Sequence, residues 1–264
     1  MSLKTSTRVV KPNLYSVKIV IYNDGMALKS SKAPKRRTAN GPLRAIRKPA
    51  VPRRPAATME APYHHGALRD GLLQAAERVL ERDGLPGLTL RAVAREAGVS
   101  HAAPTHHFGD LTGLVSELAA IGFRQFNAAM AAAGAVAGGS LIEKALARAR
   151  AYVAYAQAHP GMYGLMFRTE RLDMTRPSLC EAAQASFAGL AGAIGVSHEQ
   201  ISETALSLDQ AAAIARAWSM VHGFTTLLLD GRLSQILRRL PEGDDAETLL
   251  DAMLRLAIDR PPTA

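Results

Sequence analysis

Side chains able to contact nucleic acid are concentrated between positions 89 and 106 of the chain. This segment holds hydroxyls, imidazoles and two arginines that can hydrogen-bond to phosphate oxygens or base edges. Its small alanines allow close approach and contact with thymine methyl groups. The residues expected to contact DNA are Thr89, Arg91, Ser100, His101, Ala102, Ala103, Thr105 and His106. The segment therefore predicts a surface for double-stranded DNA.

Two short helices joined by a tight turn would position these side chains. Thr89 is placed to cap the first helix, whose apolar residues recur at helical spacing. Gly98 stands where that helix must end, because glycine enters the left-handed conformation without steric cost. Ser100 is placed to cap a second helix over residues 101–107. This is the geometry that lays a helix into a DNA major groove.

The same segment, with the helix before it, resembles the DNA-binding head of the tetracycline-repressor (TetR) family of bacterial regulators. The resemblance rests on the run Thr89-Leu-Arg-Ala-Val-Ala-Arg-Glu-Ala-Gly-Val-Ser100 and on His107-Phe108 followed by Leu114. Thr105 stands where the family often has tyrosine, and Leu111 where it often has lysine. Because those two usual residues contact phosphates, the resemblance implies fewer backbone contacts here.

A second resemblance covers the C-terminal part of the chain. Residues 151–167 and 217–231 look like the regulatory domain of TetR-like proteins that is named for its Trp…His-Gly signature. The signature residues here are Trp218, His222 and Gly223. Together the two resemblances span roughly residues 62–260. They imply that a helix over 206–229 and the final helix form a dimer interface.

The rest of the pattern predicts helices throughout, with breaks at Gly and Pro positions and no strand alternation. The predicted helices, besides the two-helix segment, are 64–83, 110–133, 141–158, 160–168, 177–194, 206–229 and 245–259. We therefore expect an all-α fold. A three-helix helix-turn-helix head at 61–109 would be joined to a larger helical-bundle regulatory domain at 110–260.

The net positive charge of the chain comes from the first 60 residues. They hold 14 Lys and Arg against 2 acidic residues, a charge of +12, whereas the remainder holds 18 against 21, a charge of −3. Their proline content and weak periodicity predict a disordered basic tail. Lys144 is the only lysine outside the tail, and this shift in composition favours Met59 as the biological start. The alternative is a basic arm that adds sequence-independent affinity for DNA.

Other chemistries find little support. No cysteine or acidic motif accompanies His64, His65, His101, His106 and His107, so neither a metal site nor another cofactor is expected. The chain lacks a Gly-x-Ser-x-Gly elbow, a phosphate-binding glycine loop and a His-Glu-x-x-His motif, which predicts that it is not an enzyme. Cys180 is the only cysteine, and apolar runs are too short to span a bilayer. We expect a cytoplasmic protein, associated with the nucleoid when bound to DNA, without a membrane partner.

Large side chains in the regulatory domain predict an apolar ligand pocket. They comprise Tyr152, Tyr155, Met162, Tyr163, Met166, Phe167, Phe187 and Trp218. We expect a small, mostly apolar effector that touches Tyr155, Phe187 and Trp218. His222, four residues after Trp218 on the same helical face, would orient the effector through a hydrogen bond. Alternatively, His222 is a buried packing residue bonded to a neighbouring carbonyl; Gly223 would let another helix approach closely in either case.

These expectations describe a homodimeric, ligand-responsive transcriptional regulator, most simply a repressor. It would bind a near-palindromic operator through two heads and be released by a small-molecule effector. The alternative is a helical small-molecule or protein-binding module whose head no longer reads specific DNA. The charge of residues 62–111, five arginines against six acidic residues, keeps that alternative open.

Overall fold

The computed structural model describes residues 65–196 and 206–258. The expectations for residues 1–60, including a start at Met59, lie outside these residues. The described chain is α-helical and contains no strand, so the predicted fold class is confirmed. None of the described helices is long and apolar enough to cross a bilayer.

Three helices form the N-terminal part of the described chain. They are α1 (His65–Gly87), α2 (Leu90–Glu96) and α3 (Ala103–Phe108). Gly84 inside α1 has a φ of +68°, so the helix is broken next to its predicted end at position 83. Thr89 caps α2 as predicted: the amide of Ala92 donates to its hydroxyl oxygen over 3.1 Å. Gly98, at φ +68°, then turns the chain towards α3.

The start of α3 differs from the prediction. Ser100 does not cap the helix with its side chain; its carbonyl oxygen accepts from the amide of Ala103 over 3.0 Å. Ala102 is the N-cap residue, without a side-chain hydrogen bond. Pro104 lies in the first turn, where a missing N–H costs nothing. His101 and Ala102 therefore belong to the turn before the helix and not to the helix itself.

Longer helices follow. They are α4 (Leu111–Val136), α5 (Leu141–Ala158), α6 (Pro160–Met166), α7 (Pro177–Ala193), α8 (Leu208–Leu229), α9 (Ser234–Leu237) and α10 (Ala246–Ile258). A 3-10 turn at Thr169–Arg171 and the four-residue α9 were not predicted. Both are too short to show a helical repeat of apolar residues in the sequence.

α4 is the central helix of the fold and packs against α1, α3, α5, α6 and α7. Leu114 and Leu118 on α4 are fully buried in the same cluster as Leu72 and Leu80 on α1. Burying a side chain of this size contributes roughly 1.5–3 kcal/mol. That cluster extends as far as Ala182 on α7, so the first three helices and the later ones share one core.

Two smaller clusters complete the packing. Leu250 on α10 is fully buried with Val153 on α5 and Phe224 on α8. Ala191 on α7 and Ile214 on α8 form the other, against which Phe187 packs. α8 is therefore held from two sides within the described chain.

Candidate functional site

One side of α3 is buried and the other is exposed. Pro104 and Phe108 are buried and anchor the helix, and Phe108 is only 3% exposed. Thr105 and His106 are exposed on the opposite side. This is how a recognition helix must be held if its outer side chains are to enter a groove.

The other predicted DNA contacts surround that exposed face. All of them are exposed except Ala103, which is half-buried and packs against the core. The exposed set comprises Thr89, Arg91, Ser100, His101, Ala102, Thr105 and His106. Ala103 is therefore placed for packing at the base of α3, and the seven exposed residues are the candidates for contact with DNA.

Three of the five arginines in the DNA-binding head form ion pairs with acidic side chains. Arg78 and Arg82 on α1 both bind Glu96 on α2, at 3.0 Å and 2.9 Å. These arginines hold the pKa of the Glu96 carboxyl below its usual range. Arg69 binds Glu117 on α4 at 2.7 Å. These arginines fix helices to one another, which leaves fewer cations facing outward.

Arg91 and Arg95 are the two head arginines for which the described residues provide no ion pair within 4.0 Å. Both are exposed on α2. Arg91 lies in the first turn of that helix, beside the cap formed by Thr89. Its position fits a phosphate contact next to a recognition helix in the groove.

The corner between α3 and α4 is closely packed. The amide of Gly113 donates to the carboxylate of Asp110, which caps α4, over 2.8 Å. A Cβ atom at Gly113 would overlap the carbonyl oxygen of Phe108. Arg176, just before α7, places Nη2 3.5 Å from the same carbonyl oxygen. The end of α3 is thus in contact with both α4 and the start of α7.

A polar cluster lies at His222 in the C-terminal part of the chain. Nδ1 of His222 is 2.9 Å from the hydroxyl of Tyr152 on α5 and 2.9 Å from that of Tyr163 on α6. The two hydroxyls are 3.4 Å apart. Burial lowers the pKa of His222 and raises the pKa of both tyrosines. The three side chains therefore form an uncharged cluster at neutral pH.

Aromatic rings surround this cluster. The ring centroid of Phe167 lies 4.8 Å from that of His222, and the centroid of Trp218 lies 6.1 Å away. Within the described residues, the hydrogen bonds of His222 all use Nδ1, which leaves Nε2 for a further partner. The partners of His222 are tyrosine hydroxyls, not the carbonyl of the packing alternative.

The structure brings only two of the four predicted ligand residues into direct contact, Trp218 and His222. Two rings separate Tyr155 from His222: the ring of Tyr155 packs on Phe126, whose ring packs on Tyr152, the partner of His222. The hydroxyl of Tyr155 donates to the carbonyl of Gly122 over 3.2 Å. Phe187 belongs to the separate cluster between α7 and α8.

Two partners of His222, Tyr152 and Tyr163, were predicted only as large apolar residues. The signal for their polar role is weak, because it requires knowing that α5 and α6 turn sharply at His159-Pro160 and place both hydroxyls on one side. Gly223 was expected to allow close approach of another helix. A Cβ atom there would meet nothing within 4 Å, so no described residue of this chain makes that approach.

Comparison with known proteins agrees with this architecture. The model for bacterial regulatory proteins of the tetR family matches residues 72–118. The model for the tetracyclin repressor-like C-terminal domain matches residues 145–257, which include Trp218, His222 and Gly223. The first match covers α2, α3 and their turn; the second covers the His222 cluster.

Two proteins from other sources are similar to this chain. A structure from Rhodococcus sp. RHA1, described as a protein with unknown function, is 34% identical with a TM-score of 0.59 over 75% of this chain and 96% of that one. An uncharacterized HTH-type transcriptional regulator of Mycobacterium tuberculosis is 27% identical over 72% of this chain and 79% of its own.

A more distant structure shares the fold alone. FadR from Bacillus subtilis, solved in complex with stearoyl-CoA, is 16% identical with a TM-score of 0.53 over 72% of this chain and 97% of that one. With one model matched at the head and another at the regulatory domain, the chain belongs to the TetR family of bacterial transcriptional regulators.

Proposed function

We propose that this protein is a homodimeric repressor that a small, mostly apolar effector releases from a near-palindromic operator. The observation that carries the proposal is the exposed face of α3, where Thr105 and His106 project from a helix anchored by Phe108. Such a protein acts in the cytoplasm and associates with the nucleoid while bound to DNA.

The proposed DNA interface separates into two groups. Thr105 and His106, with His101 and Ala102 in the turn before α3, contact base edges in the major groove. Arg91, together with the hydroxyls of Thr89 and Ser100, contacts phosphates. Ala103 contributes only through backbone proximity, because its side chain packs towards the core.

The proposed effector site is centred on His222. Within the described part of the chain, the side chains that hydrogen-bond to its ring or pack a ring against it are uncharged, which favours an apolar effector over an anionic one. Nε2 of His222 makes the hydrogen bond that orients the effector, and the ring of Trp218 packs against it. Tyr155 and Phe187 contact the two ends of an effector that is long enough to reach them. FadR, which shares the fold, was solved with stearoyl-CoA. Only the acyl chain of that ligand is apolar, and its CoA moiety is anionic, so the likeness to the proposed effector is restricted to the acyl chain.

The proposed dimer interface uses α8 and α10. Leu208 and Leu227 on α8 are 84% and 42% exposed, and Leu256 on α10 is 73% exposed. Large apolar side chains that are this exposed in a single chain often become buried in a subunit interface. The open space beside Gly223 on α8 would admit the partner's helix.

A second candidate function is a binding module whose head no longer reads specific DNA. It is favoured by the ion pairs of Arg69, Arg78 and Arg82, which leave Arg91 and Arg95 as the cations for phosphates. The absence of tyrosine at Thr105 and of lysine at Leu111 points the same way. The two candidates differ in one measurable quantity, the ratio of specific to random affinity.

The deciding experiment is selection of duplexes from a random pool by the full chain, followed by affinity measurements at fixed salt. A regulator should prefer the selected duplex over random DNA by at least about 10³-fold. Replacing His101, Thr105 and His106 together by alanine should abolish that preference. Arg91→Ala should weaken both duplexes alike, and Arg124→Ala, an exposed arginine of α4, should change neither. A ratio near one for the wild-type chain would favour the binding module.

The effector site has its own test. A compound library is screened by thermal stabilisation and by release of the selected duplex. Hits should be uncharged or weakly charged, and His222→Ala and Trp218→Ala should lose the response to them. Release that is equal in the wild-type chain and both variants would place the effector site elsewhere.

A further inference from the structure

α6 touches both the proposed effector site and the DNA-binding head. It is a seven-residue helix that begins at the His159-Pro160 break. Its middle residue, Tyr163, binds Nδ1 of His222 on α8. Its first turn binds Glu81 on α1: the amides of Gly161 and Met162 donate to the two carboxylate oxygens over 3.2 Å and 3.1 Å.

The approach of α1 to α6 depends on a glycine. A Cβ atom at Gly161 would lie 3.0 Å from a carboxylate oxygen of Glu81 and 3.0 Å from the carbonyl oxygen of Leu80. The carbonyl belongs to the helix backbone and has little freedom to withdraw. One turn later on the same helix, a Cβ atom at Gly164 would meet nothing within 4 Å. Of the two glycines on α6, only the one at the end facing the head is closely approached.

α6 is closely packed along its length. Met162 and Leu165 are fully buried, and Met166 is 1% exposed. Both methionines fill the space left by the absent side chain of Gly122 on α4. Gly161 and Tyr163 are separated by about 3 Å along the helix axis. Because α6 is closely packed, we expect a displacement of Tyr163 to be passed to Gly161 and not absorbed between them.

The head side of the contact is equally well connected. Arg82 follows Glu81 on α1 and binds Glu96 on α2 at 2.9 Å. Arg78, one turn earlier, binds the same carboxylate at 3.0 Å. A shift of α1 at Glu81 therefore reaches α2, the helix that supports α3. Exposed ion pairs contribute little stability, and here their relevance is geometric.

We propose that Glu81 is the positioning residue that couples the His222 cluster to the DNA-reading head, acting through the first turn of α6. This inference rests on the proposed function. Coupling between two sites is reciprocal. If an effector at the His222 cluster changes the affinity of the head for DNA, operator binding must in turn change the His222 cluster. The coupling can therefore be measured without knowing the effector.

Trp218 provides the readout, because it is the only tryptophan of the chain and its ring contacts His222. The full-length chain is titrated with the duplex it selects from a random pool, and the emission of Trp218 is followed. The wild-type emission should change with operator occupancy. Glu81→Ala and Gly161→Ala should bind the duplex with affinities altered by about 2- to 30-fold and lose most of the emission change.

Two controls separate coupling from general damage to α6. Gly164→Ala changes the same helix where space is available, and should keep the full emission change. Glu81→Gln retains one acceptor oxygen and should keep part of the emission change. Thermal unfolding identifies variants that lose signal because they are not folded, and Gly161→Ala and Glu81→Ala must both be folded at the titration temperature.

The outcomes distinguish the two proposals. If the wild-type chain binds every duplex as weakly as random DNA, the proposed function is wrong and so is the coupling. If it binds its operator but Trp218 does not respond, the coupling is wrong and the proposed function stands. The coupling is also wrong if Glu81→Ala responds like the wild-type chain, or if Gly164→Ala loses the response as Gly161→Ala does.

Discussion

The hydroxyl of Tyr163 and Nδ1 of His222 lie 2.9 Å apart and join α6 to α8. Tyr152 reaches the same nitrogen from α5 over the same distance. Three helices of the regulatory domain therefore meet at one imidazole. Among the residues that the structure describes, no charged group bonds to it, so its protonation state has consequences for stability that can be measured.

Acidification should destabilise the protein through His222. In the unfolded chain this histidine titrates near its ordinary value of 6.5, whereas burial lowers its pKa in the folded chain. As the pH falls below about 6.5, the unfolded chain therefore binds the proton first. The free energy of unfolding falls from there down through the folded pKa and then levels off. Urea unfolding of the wild-type chain between pH 7.5 and pH 5 measures this loss.

The matched variant is His222→Gln, which cannot be protonated in this range. It should be less stable than the wild-type chain at pH 7.5, yet lose less of its remaining stability on acidification. His106→Gln, at an exposed position, should follow the wild-type pH dependence. Parallel curves for the wild-type chain and His222→Gln would contradict a lowered pKa at His222.

Gly113→Ala should destabilise the head. A Cβ atom there overlaps the carbonyl oxygen of Phe108, a backbone atom at the end of α3. Overpacking of this kind costs about 1–3 kcal/mol. Urea unfolding should show a lower midpoint, and selective affinity for the operator should fall because α3 must shift.

Gly71→Ala is the control for that change. It lies inside α1, where a Cβ atom would meet nothing within 4 Å. Replacing a helical glycine by alanine in open space should stabilise the chain by about 0.5–1 kcal/mol. The two Gly→Ala changes should thus have opposite signs; destabilisation of similar size by both would show that the close approach at Gly113 is not the cause.

Leu256→Glu should convert the proposed dimer to a monomer. The side chain is 73% exposed on α10 in the single chain, and a buried charge at a subunit interface has no partner. Sedimentation should give the mass of one chain, and operator affinity should drop because two heads no longer bind together. Val136→Glu, at an 86% exposed position ending α4, should leave the mass unchanged.

The helical architecture followed from the sequence because its signals are local. Thr89 and Gly98 begin and end a helix through bonds and dihedral angles that involve only near neighbours. Ser100 shows the limit of this reasoning. A serine before a helix and a proline within its first turn offer competing starts, and the structure places the start at Ala103.

The candidate ligand site was less accessible from the sequence because it depends on tertiary packing. Helical spacing predicted that Trp218 and His222 share a face, and they do. Nothing local indicates that Tyr152 and Tyr163 converge on His222, or that Phe187 packs in a different cluster. The role of Glu81 could not be predicted from the sequence either, because its partners are backbone amides 80 and 81 residues further along the chain.

Tyr152→Phe and Tyr163→Phe should be strongly non-additive. Either single change leaves His222 Nδ1 with one hydroxyl partner, so each should cost about 0.5–1.5 kcal/mol in urea unfolding at pH 7.5. The double variant leaves Nδ1 without either hydroxyl, and a desolvation penalty of up to roughly 1–3 kcal/mol then appears. The double change should therefore exceed the sum of the single ones.

Tyr155→Phe is the matched control for this comparison of single and double variants. Its hydroxyl donates to the carbonyl of Gly122 and has no part in the His222 cluster, although its ring packs on Phe126 as that of Tyr152 does. Because phenylalanine keeps both rings, Tyr152→Phe with Tyr155→Phe should be additive within about 0.5 kcal/mol. Additivity in the Tyr152 and Tyr163 pair as well would mean that each hydroxyl stabilises the fold on its own and that His222 does not link them.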